Sequence, residues 1–387
     1  MNILCVGGAG KICRESVKDL VKYSNFDKIT IADINPEEAE KLVGEIGDTR
    51  VGFTKFDLTD THKAIDTMKE YSLVMASLPI KYDDLLVDCV VNAGVSGLDI
   101  TGMGKAYFDY HSRAHKSGIV FVPGVGMTPG TTNILAMYAA AQMDRVDEIF
   151  ISHGAFRALA HSPGLASTTF LEYDPDLPDR VIYENGRYIQ VPPFSGEKII
   201  KLPDPFGEHP QYIIPHPEAF TLPNYIKGVK RIEVRGTWPP KNMALVKSLY
   251  QYGFLRNDEV DINGTKVGIR DAVAAYLEQS PEGKQQDVWG YALHVELTGI
   301  RNGKAVRHVL TTSHPTSESH GWQGSRAYTR SVGIPLSIGA QMIAENRVKS
   351  TGVLAPEGAF YPLEYIKELA KRNIIVNEEI NERHTII

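Results

Sequence analysis

The chain predicts an α/β protein, with an N-terminal Rossmann domain and a second α+β domain built on a mixed or antiparallel sheet. Three observations carry that prediction. The opening stretch to Asp33 reads strand, glycine turn, helix, strand, acid. Strand-like and helix-like segments then alternate as far as Val122, the pattern of a parallel sheet covered on both faces. Beyond Val146 the apolar residues switch to alternation with polar ones, as in strands with one buried face. A chain of 387 residues has room for two cores. The expected division is a dinucleotide-binding domain over 1–130, a substrate and oligomerisation domain over 131–330, and C-terminal helices over 331–387 that return to the first domain.

The first strand is Ile3-Leu4-Cys5-Val6, and Gly7-Gly8-Ala9-Gly10-Lys11-Ile12-Cys13 follows at once. Gly8 and Gly10 stand where a dinucleotide fingerprint needs residues without a Cβ, one for a tight turn and one for close approach to a pyrophosphate. That group would rest on the N-terminus of the helix Ser16 to Tyr23, beside Lys11 and Ile12. Cys13 takes the third small position in place of Gly or Ala. The second strand, Ile29 to Ala32, ends at Asp33, 25 residues after Gly8, where a carboxylate for the ribose hydroxyls belongs. Its charge would repel a 2′-phosphate, and Ile34-Asn35-Pro36-Glu37-Glu38 supplies no cation to offset it. NAD is therefore favoured over NADP.

Asn35 and Pro36 open a helix to Glu45, as an N-cap followed by a first-turn proline should. Val51 to Phe56 is the third strand, and Asp57 at its end is a candidate neighbour of the adenine ring. Ser72 to Ala76 is the fourth strand, and the loop Ser77-Leu78-Pro79 after it should pass the cofactor. Helices at 85–93 and 109–116 and strands at 97–100 and 119–122 complete the domain. The glycine- and proline-rich seam Pro123 to Gly130 leads into an apolar helix, Thr131 to Gln142.

In the second domain Glu148 to Ser152, Lys230 to Arg235 and Tyr291 to Ile300 alternate as strands, and Asn302-Gly303 turns the last into a hairpin with Ala305 to Thr311. Val181 to Val191 is a second hairpin, and helices are expected at 242–252 and 268–278. The proline-rich stretch from Ser162 to Pro223 reads as a long excursion of the kind that covers ligands or contacts subunits. Its rings include Phe170, Tyr173, Tyr183, Tyr188, Phe194, Phe206, Tyr212 and Phe220, and such rings concentrate in interface cores. A homo-oligomer is expected, most simply a C₂ dimer through this domain. The other reading is that the rings fill the domain's own core or line its cleft. A largely apolar helix at 328–346 and an amphipathic one at 361–372 follow.

Composition narrows the function. Lys plus Arg number 41 against 47 for Asp plus Glu, and no basic run with interleaved aromatics appears, so no nucleic-acid partner is expected. Cys5, Cys13 and Cys89 are too widely spaced, and too far from His, to form a disulfide framework or zinc site. The opening Met1-Asn2-Ile3 runs straight into a strand and no stretch is apolar enough to span a bilayer, so a cytoplasmic protein without membrane contact is expected.

The glycine turn, the seam Pro123 to Asn133 and the tail Gly352-Val353-Leu354-Ala355-Pro356-Glu357 together resemble the saccharopine dehydrogenase-like family, nearest its short lysine 6-dehydrogenase branch. The resemblance implies an NAD(P)-dependent oxidoreductase acting at carbon–nitrogen bonds of amino acids or their imine conjugates, usually dimeric or tetrameric. Gly102-Met103-Gly104 departs from the Gly-Gly-His of lysine 6-dehydrogenases, and Gly154-Ala155-Phe156-Arg157 from Gly-Gly-Ile/Leu-Pro. A different small amine or amino-acid substrate is therefore open, as is opine-type reductive condensation of an amine with a carbonyl compound, or a non-catalytic, nucleotide-responsive subunit.

Oxidising a carbon–nitrogen bond requires the cofactor as electron sink, a base for the ammonium proton, and water for the imine. The proton-handling candidates are His153, His161, His216 and His320, with His209 behind them, because imidazole titrates near neutrality. Arg157 is the candidate carboxylate clamp, since a guanidinium fork grips a carboxylate with two bonds. Asp99, at a strand's carboxyl end, is a candidate for orienting the amine or for capping its own turn. The histidines show no metal-binding spacing, and no metal is expected.

Overall fold

The structure, a computed structural model, describes residues 1–104, 106–162 and 164–383. Pro163 of the proline-rich excursion and the last four residues of the expected C-terminal segment lie outside the described residues. The chain divides into two compact units, Met1–Tyr138 with Thr329–Ile374, and Ala139–Tyr328 with the residues from Ile375 onward.

The first unit is built on strands β1 (Asn2–Val6), β2 (Lys28–Asp33), β3 (Val51–Lys55), β4 (Leu73–Ala76), β5 (Ser96–Asp99) and β6 (Val120–Val122). They lie in the order β6-β5-β4-β1-β2-β3, with the short strand Gly352–Val353 outside β6, and every pairing is parallel. The chain runs outward from β1 to β3, then starts again beside β1 at β4. Order therefore switches between β1 and β4, which makes the carboxyl ends of those two strands the ligand-binding crevice of a Rossmann sheet. Leu4, Cys5, Val74 and Met75 are wholly buried, as the uninterrupted apolar runs of a doubly covered sheet must be. Asn35 caps the helix Pro36–Ile46 by accepting from Glu38 N at 3.3 Å.

The second unit carries a mixed nine-stranded sheet. Its main path runs Lys198–Leu202, Gly207–Ile213, Arg231–Thr237, β7 (Arg145–Phe156), Gly290–Arg301, Lys304–Pro315 and Asn377–Arg383. Only the pairing of β7 with Arg231–Thr237 is parallel among these; the others are antiparallel. Asn185-Gly186 and Asn302-Gly303 close hairpins with both residues at positive φ, the twist that two-residue turns require.

Two expectations need correction. The stretch 162–223 is no wandering excursion: it holds the helices Leu165–Glu172 and Glu218–Tyr225, one hairpin, and two strands of the sheet. Of its rings, Phe170, Tyr173, Phe206 and Tyr212 are buried within their own unit, Tyr183, Phe194 and Phe220 are half-buried, and Tyr188 is about half exposed. Beyond the C-terminal helices, Asn377–Arg383 pairs with Lys304–Pro315 in the second sheet, a strand the apolar pattern does not announce because nearly all of it is exposed.

Candidate active site

At the end of β1 the chain turns on Gly7 at φ +70°, and a Cβ there would lie 2.4 Å from the Ser77 carbonyl oxygen. A Cβ on Gly8 would lie 2.6 Å from Cys5 O, and one on Gly10 3.1 Å from Gly7 O. The turn is tightly packed, and the N–H groups of Gly7, Gly8, Ala9 and Gly10 hold it in shape by donating to Ala32 O, Asp33 and Gly7 O. Ile12 stands at the N-cap of the helix Cys13–Tyr23, next to the exposed Lys11. Burial, and then the charge of Asp33, push the Cys13 thiol up to about 12, so it stays protonated and serves as a small packing residue. Asp33, at the end of β2, accepts from Ala9 N with one oxygen and from Asn35 N with the other, each at 3.1 Å. The carboxylate is thereby fixed against the glycine turn with lone pairs to spare. Ser77 and Leu78 meet the turn from β4, and Pro79 leads away into the turn Ile80–Tyr82. This cradle fits a dinucleotide. Asp57 stands exposed beyond β3, where it accepts from Thr59 N and Oγ1 at 2.9 and 2.7 Å, and those bonds lower its pKa.

Asp99 is buried in the same unit. One oxygen accepts from Thr101 N, Gly102 N and Gly124 N at 2.9–3.0 Å, and the other from the Tyr107 hydroxyl. Asp83 receives Thr101 Oγ1 at 2.7 Å and Met103 N at 3.1 Å, and burial, together with the charge of Asp99, raises its pKa to about 8. Asp99 thus spends its acceptors on the loop 101–104 and the seam.

In the second unit β7 sets His153 in register with Gly236 on one side and Leu293 on the other. Gly236 makes room for the imidazole, since a Cβ there would lie 2.6 Å from His153 Nε2. The Tyr291 ring stacks on His153 at 5.8 Å between centroids, with its hydroxyl 3.3 Å from Nδ1. Trp238 presents its edge at 5.7 Å, and His216 lies 5.8 Å away. The rings continue in both directions, from Trp238 to Tyr173 at 5.8 Å and from Tyr291 to Tyr328 at 5.9 Å, forming one aromatic wall. His161 meets Tyr328 and Trp289 edge-on at 6.4 and 4.8 Å.

Charge is distributed unevenly along that wall. Burial, then the charges of His216 and Arg157, hold His153 well below the usual imidazole range, so the ring is neutral. Burial alone would depress His216 as well, but its 3.1 Å contact with the fully buried Glu218, aided by the charge of Glu172, raises it. Glu172, the last residue of Leu165–Glu172, is lifted by burial to about 7 even though His216, Arg157 and Arg180 pull it down. Arg157 is 3% exposed and bound to its own chain: NH1 donates to Ala158 O and Leu159 O, and NH2 to Thr169 Oγ1. Five buried polar atoms of this cluster have no hydrogen-bond partner among the described residues: His153 Nε2, Arg157 Nε, Glu172 Oε2, Tyr173 OH and Trp238 Nε1. Buried polar groups are rarely left so, and a concentration of them marks a place for a polar ligand.

Residues 3–122 match the saccharopine dehydrogenase NADP binding domain, and residues 126–375 the saccharopine dehydrogenase C-terminal domain. The chain belongs to the saccharopine dehydrogenase family. As a family member it is an NAD(P)-dependent oxidoreductase acting on a carbon–nitrogen bond of an amino acid or diamine, and its first unit is the nicotinamide-dinucleotide domain. A curated relative, carboxyaminopropylagmatine dehydrogenase of a Synechocystis species, is 23% identical, with 98% of this chain and 97% of that protein covered. The fold is that of apo saccharopine dehydrogenase (L-Glu forming) from Saccharomyces cerevisiae, at a TM-score of 0.73 and 15% identity over 98% of this chain and 99% of that one. Homospermidine synthase from Legionella pneumophila, solved with NAD, is similar at a TM-score of 0.64 and 12% identity over 100% of this chain and 94% of that one.

Of the six residues considered for the chemistry of this saccharopine dehydrogenase relative, the structure brings His153, His216 and Arg157 together, with His161 reached through Tyr328. Asp99 stands in the other unit, and His320 is exposed on the turn after Lys304–Pro315. His209 holds Phe206 O at 2.8 Å. Sequence reasoning passed over Glu172, Glu218, Tyr291, Trp238 and Tyr328. Glu218 had a signal in its place two residues after His216, and Glu172 in being an acid within the apolar run from Leu165 to Tyr173. Among the described residues no group of three or more His, Cys, Asp or Glu side chains is set to hold a metal, and no helix is long and apolar enough to cross a membrane.

Proposed function

We propose that the chain interconverts a secondary amine with a primary amine and a carbonyl compound, using NAD, in the manner of saccharopine-type condensation and cleavage. The observation that carries the reading is the buried acid–base cluster of His153, His216–Glu218 and Glu172 against an aromatic wall, with polar atoms left without protein partners. Bound dinucleotide would supply the hydride chemistry. The protein's task is then proton traffic at nitrogen and oxygen, which the neutral imidazole of His153 beside the His216–Glu218 pair suits. The relative's name supports condensation over simple deamination, because carboxyaminopropylagmatine joins two carbon chains through nitrogen. The departures at Gly102-Met103-Gly104 and Gly154-Ala155-Phe156-Arg157 likewise speak against a lysine 6-dehydrogenase.

Asp33 supports NAD as the partner, since a carboxylate fixed against the glycine turn would repel a 2′-phosphate, while the nearby Arg14 donates to Ala9 O of the same turn. Two measurements test the proposal. NAD should bind about tenfold or more tighter than NADP, with Asp33→Ser narrowing the gap; tighter NADP binding by the parent protein overturns that part. NADH should be consumed when primary amines are paired with aldehydes or keto acids. NADH formation from free lysine or ornithine alone would restore the deamination reading, and silence with NAD bound would favour the nucleotide-responsive subunit.

A further inference from the structure

We propose that Glu172 receives a cationic end of the amine substrate, so that the second unit selects a diamine-like compound by its distal positive charge and not an amino acid by its carboxylate. The proposal rests on the function proposed above and names the substrate class of the same site.

Arg157 is the expected clamp for a carboxylate, and most of its donors are committed to its own chain. Both NH1 hydrogens go to the carbonyls of Ala158 and Leu159, and NH2 donates to Thr169, so the end-on fork of the two terminal nitrogens is spent and only the side edge, Nε with the second NH2 hydrogen, remains for a ligand. The anionic counterpart is in the opposite condition. Glu172 Oε2 is buried with no hydrogen-bond donor among the described residues, while the backbone beneath it is rigidly held. The wholly buried Arg180 donates through Nε and NH2 to Glu172 O at 3.2 and 2.9 Å and reaches Asp174 O at 2.6 Å, which caps the end of Leu165–Glu172. A helix C-terminus also favours a cation.

The groups that act on Glu172 are Arg157 just beyond β7, His216 with its partner Glu218, Arg180, and the hydroxyls of Tyr173 and Tyr328. Arg157 and His216 act on it through space, and no bond from either reaches it. An ammonium or guanidinium group supplies the missing donors, and the rings of Tyr173, Trp238, Tyr291 and Tyr328 suit both the methylene chain and the cation. Because Glu172 takes up a proton near neutrality, binding of the cation should weaken as pH falls below about 7.

The test uses the full chain with NAD bound and three ligands of one chain length: 1,4-diaminobutane, its mono-N-acetyl derivative, and ornithine, which adds an α-carboxylate. Calorimetry should show 1,4-diaminobutane binding about tenfold or more tighter than either of the others, with affinity falling as pH drops below neutrality. Glu172→Gln should abolish both the preference and the pH slope, while Glu172→Asp keeps the charge and the slope. Ornithine or the acetylated amine binding as well as the diamine overturns the proposal, as does a preference that survives Glu172→Gln; if that variant does not fold, the wild-type ranking decides alone. Diamine binding that depends on Glu172, with no NADH turnover for any amine, would sink the proposed reaction and leave this inference standing.

Discussion

Glu172 carries a cost in the free protein. Its carboxyl group is raised from an ordinary 4.5 to about 7, so the folded chain keeps a proton that the unfolded chain has released. Stability from this residue is complete below pH 4.5 and is lost as pH rises through about 7, a swing of about 3 kcal/mol at 1.4 kcal/mol per unit. Glu172→Gln should therefore match the parent in acid and be more stable by up to that amount at pH 8, by urea unfolding; equal stability at both pH values would contradict the burial argument. A substitution that raises stability while removing amine binding is the mark of a residue kept for function. In the sequence Glu172 showed only as an acid in the run from Leu165 to Tyr173, because its environment is made by residues from four distant segments. His153 and His216 were legible as types, but only the fold puts their rings 5.8 Å apart. The Asp33 carboxylate was legible in place as well as type, since the distance from strand to acid is set locally by one βαβ turn.

Elements held together by local chemistry were readable in order. The Asn-Gly hairpins and the Asn35-Pro36 helix start are specified by backbone preferences of the residues themselves. The strands Lys198–Leu202 and Gly207–Ile213 were hidden by the prolines around and within them. Pro210 is tolerated because Gly207–Ile213 meets its inner neighbour only at Tyr212 and Ile213, leaving Pro210 opposite Ile199 with no second partner to lack its N–H. The glycine turn gives the sharpest prediction at this scale. Gly7→Ala would put a methyl group 2.4 Å from Ser77 O at a positive φ, so it should destabilise the protein by about 2 kcal/mol or more and weaken NAD binding at least tenfold. Normal calorimetric affinity for NAD in that variant would show that the turn opens at little cost.

At the scale of the whole molecule, the first unit is closed by a buried ion network. Arg372 Nε donates to both oxygens of Asp19 at 3.1 and 2.9 Å, NH1 to Glu368 Oε2 at 2.8 Å, and NH2 to Gln341 Oε1 at 3.2 Å, while Ser337 donates to Asp19 at 2.7 Å. Burial still raises Asp19 above an ordinary aspartate in spite of Arg372, so the pair is needed to tolerate the charge more than to add stability. Arg372→Met should cost about 3–5 kcal/mol, measured by denaturant unfolding, and the double change Asp19→Leu/Arg372→Met should recover much of it. This network, with the Gly352–Val353 strand, also dictates a timetable for biosynthesis. The nucleotide unit draws on two stretches, 1–138 and 329–374, so while residues 139–328 are leaving the ribosome its outer strand and the partner of Asp19 do not yet exist. A fragment ending at residue 138 should be expressed as a loosely packed, protease-sensitive species, and adding a separate peptide of residues 329–374 should restore NAD binding. The glycine turn would thus wait for residues 329–374, synthesised well after it, before it could hold its ligand.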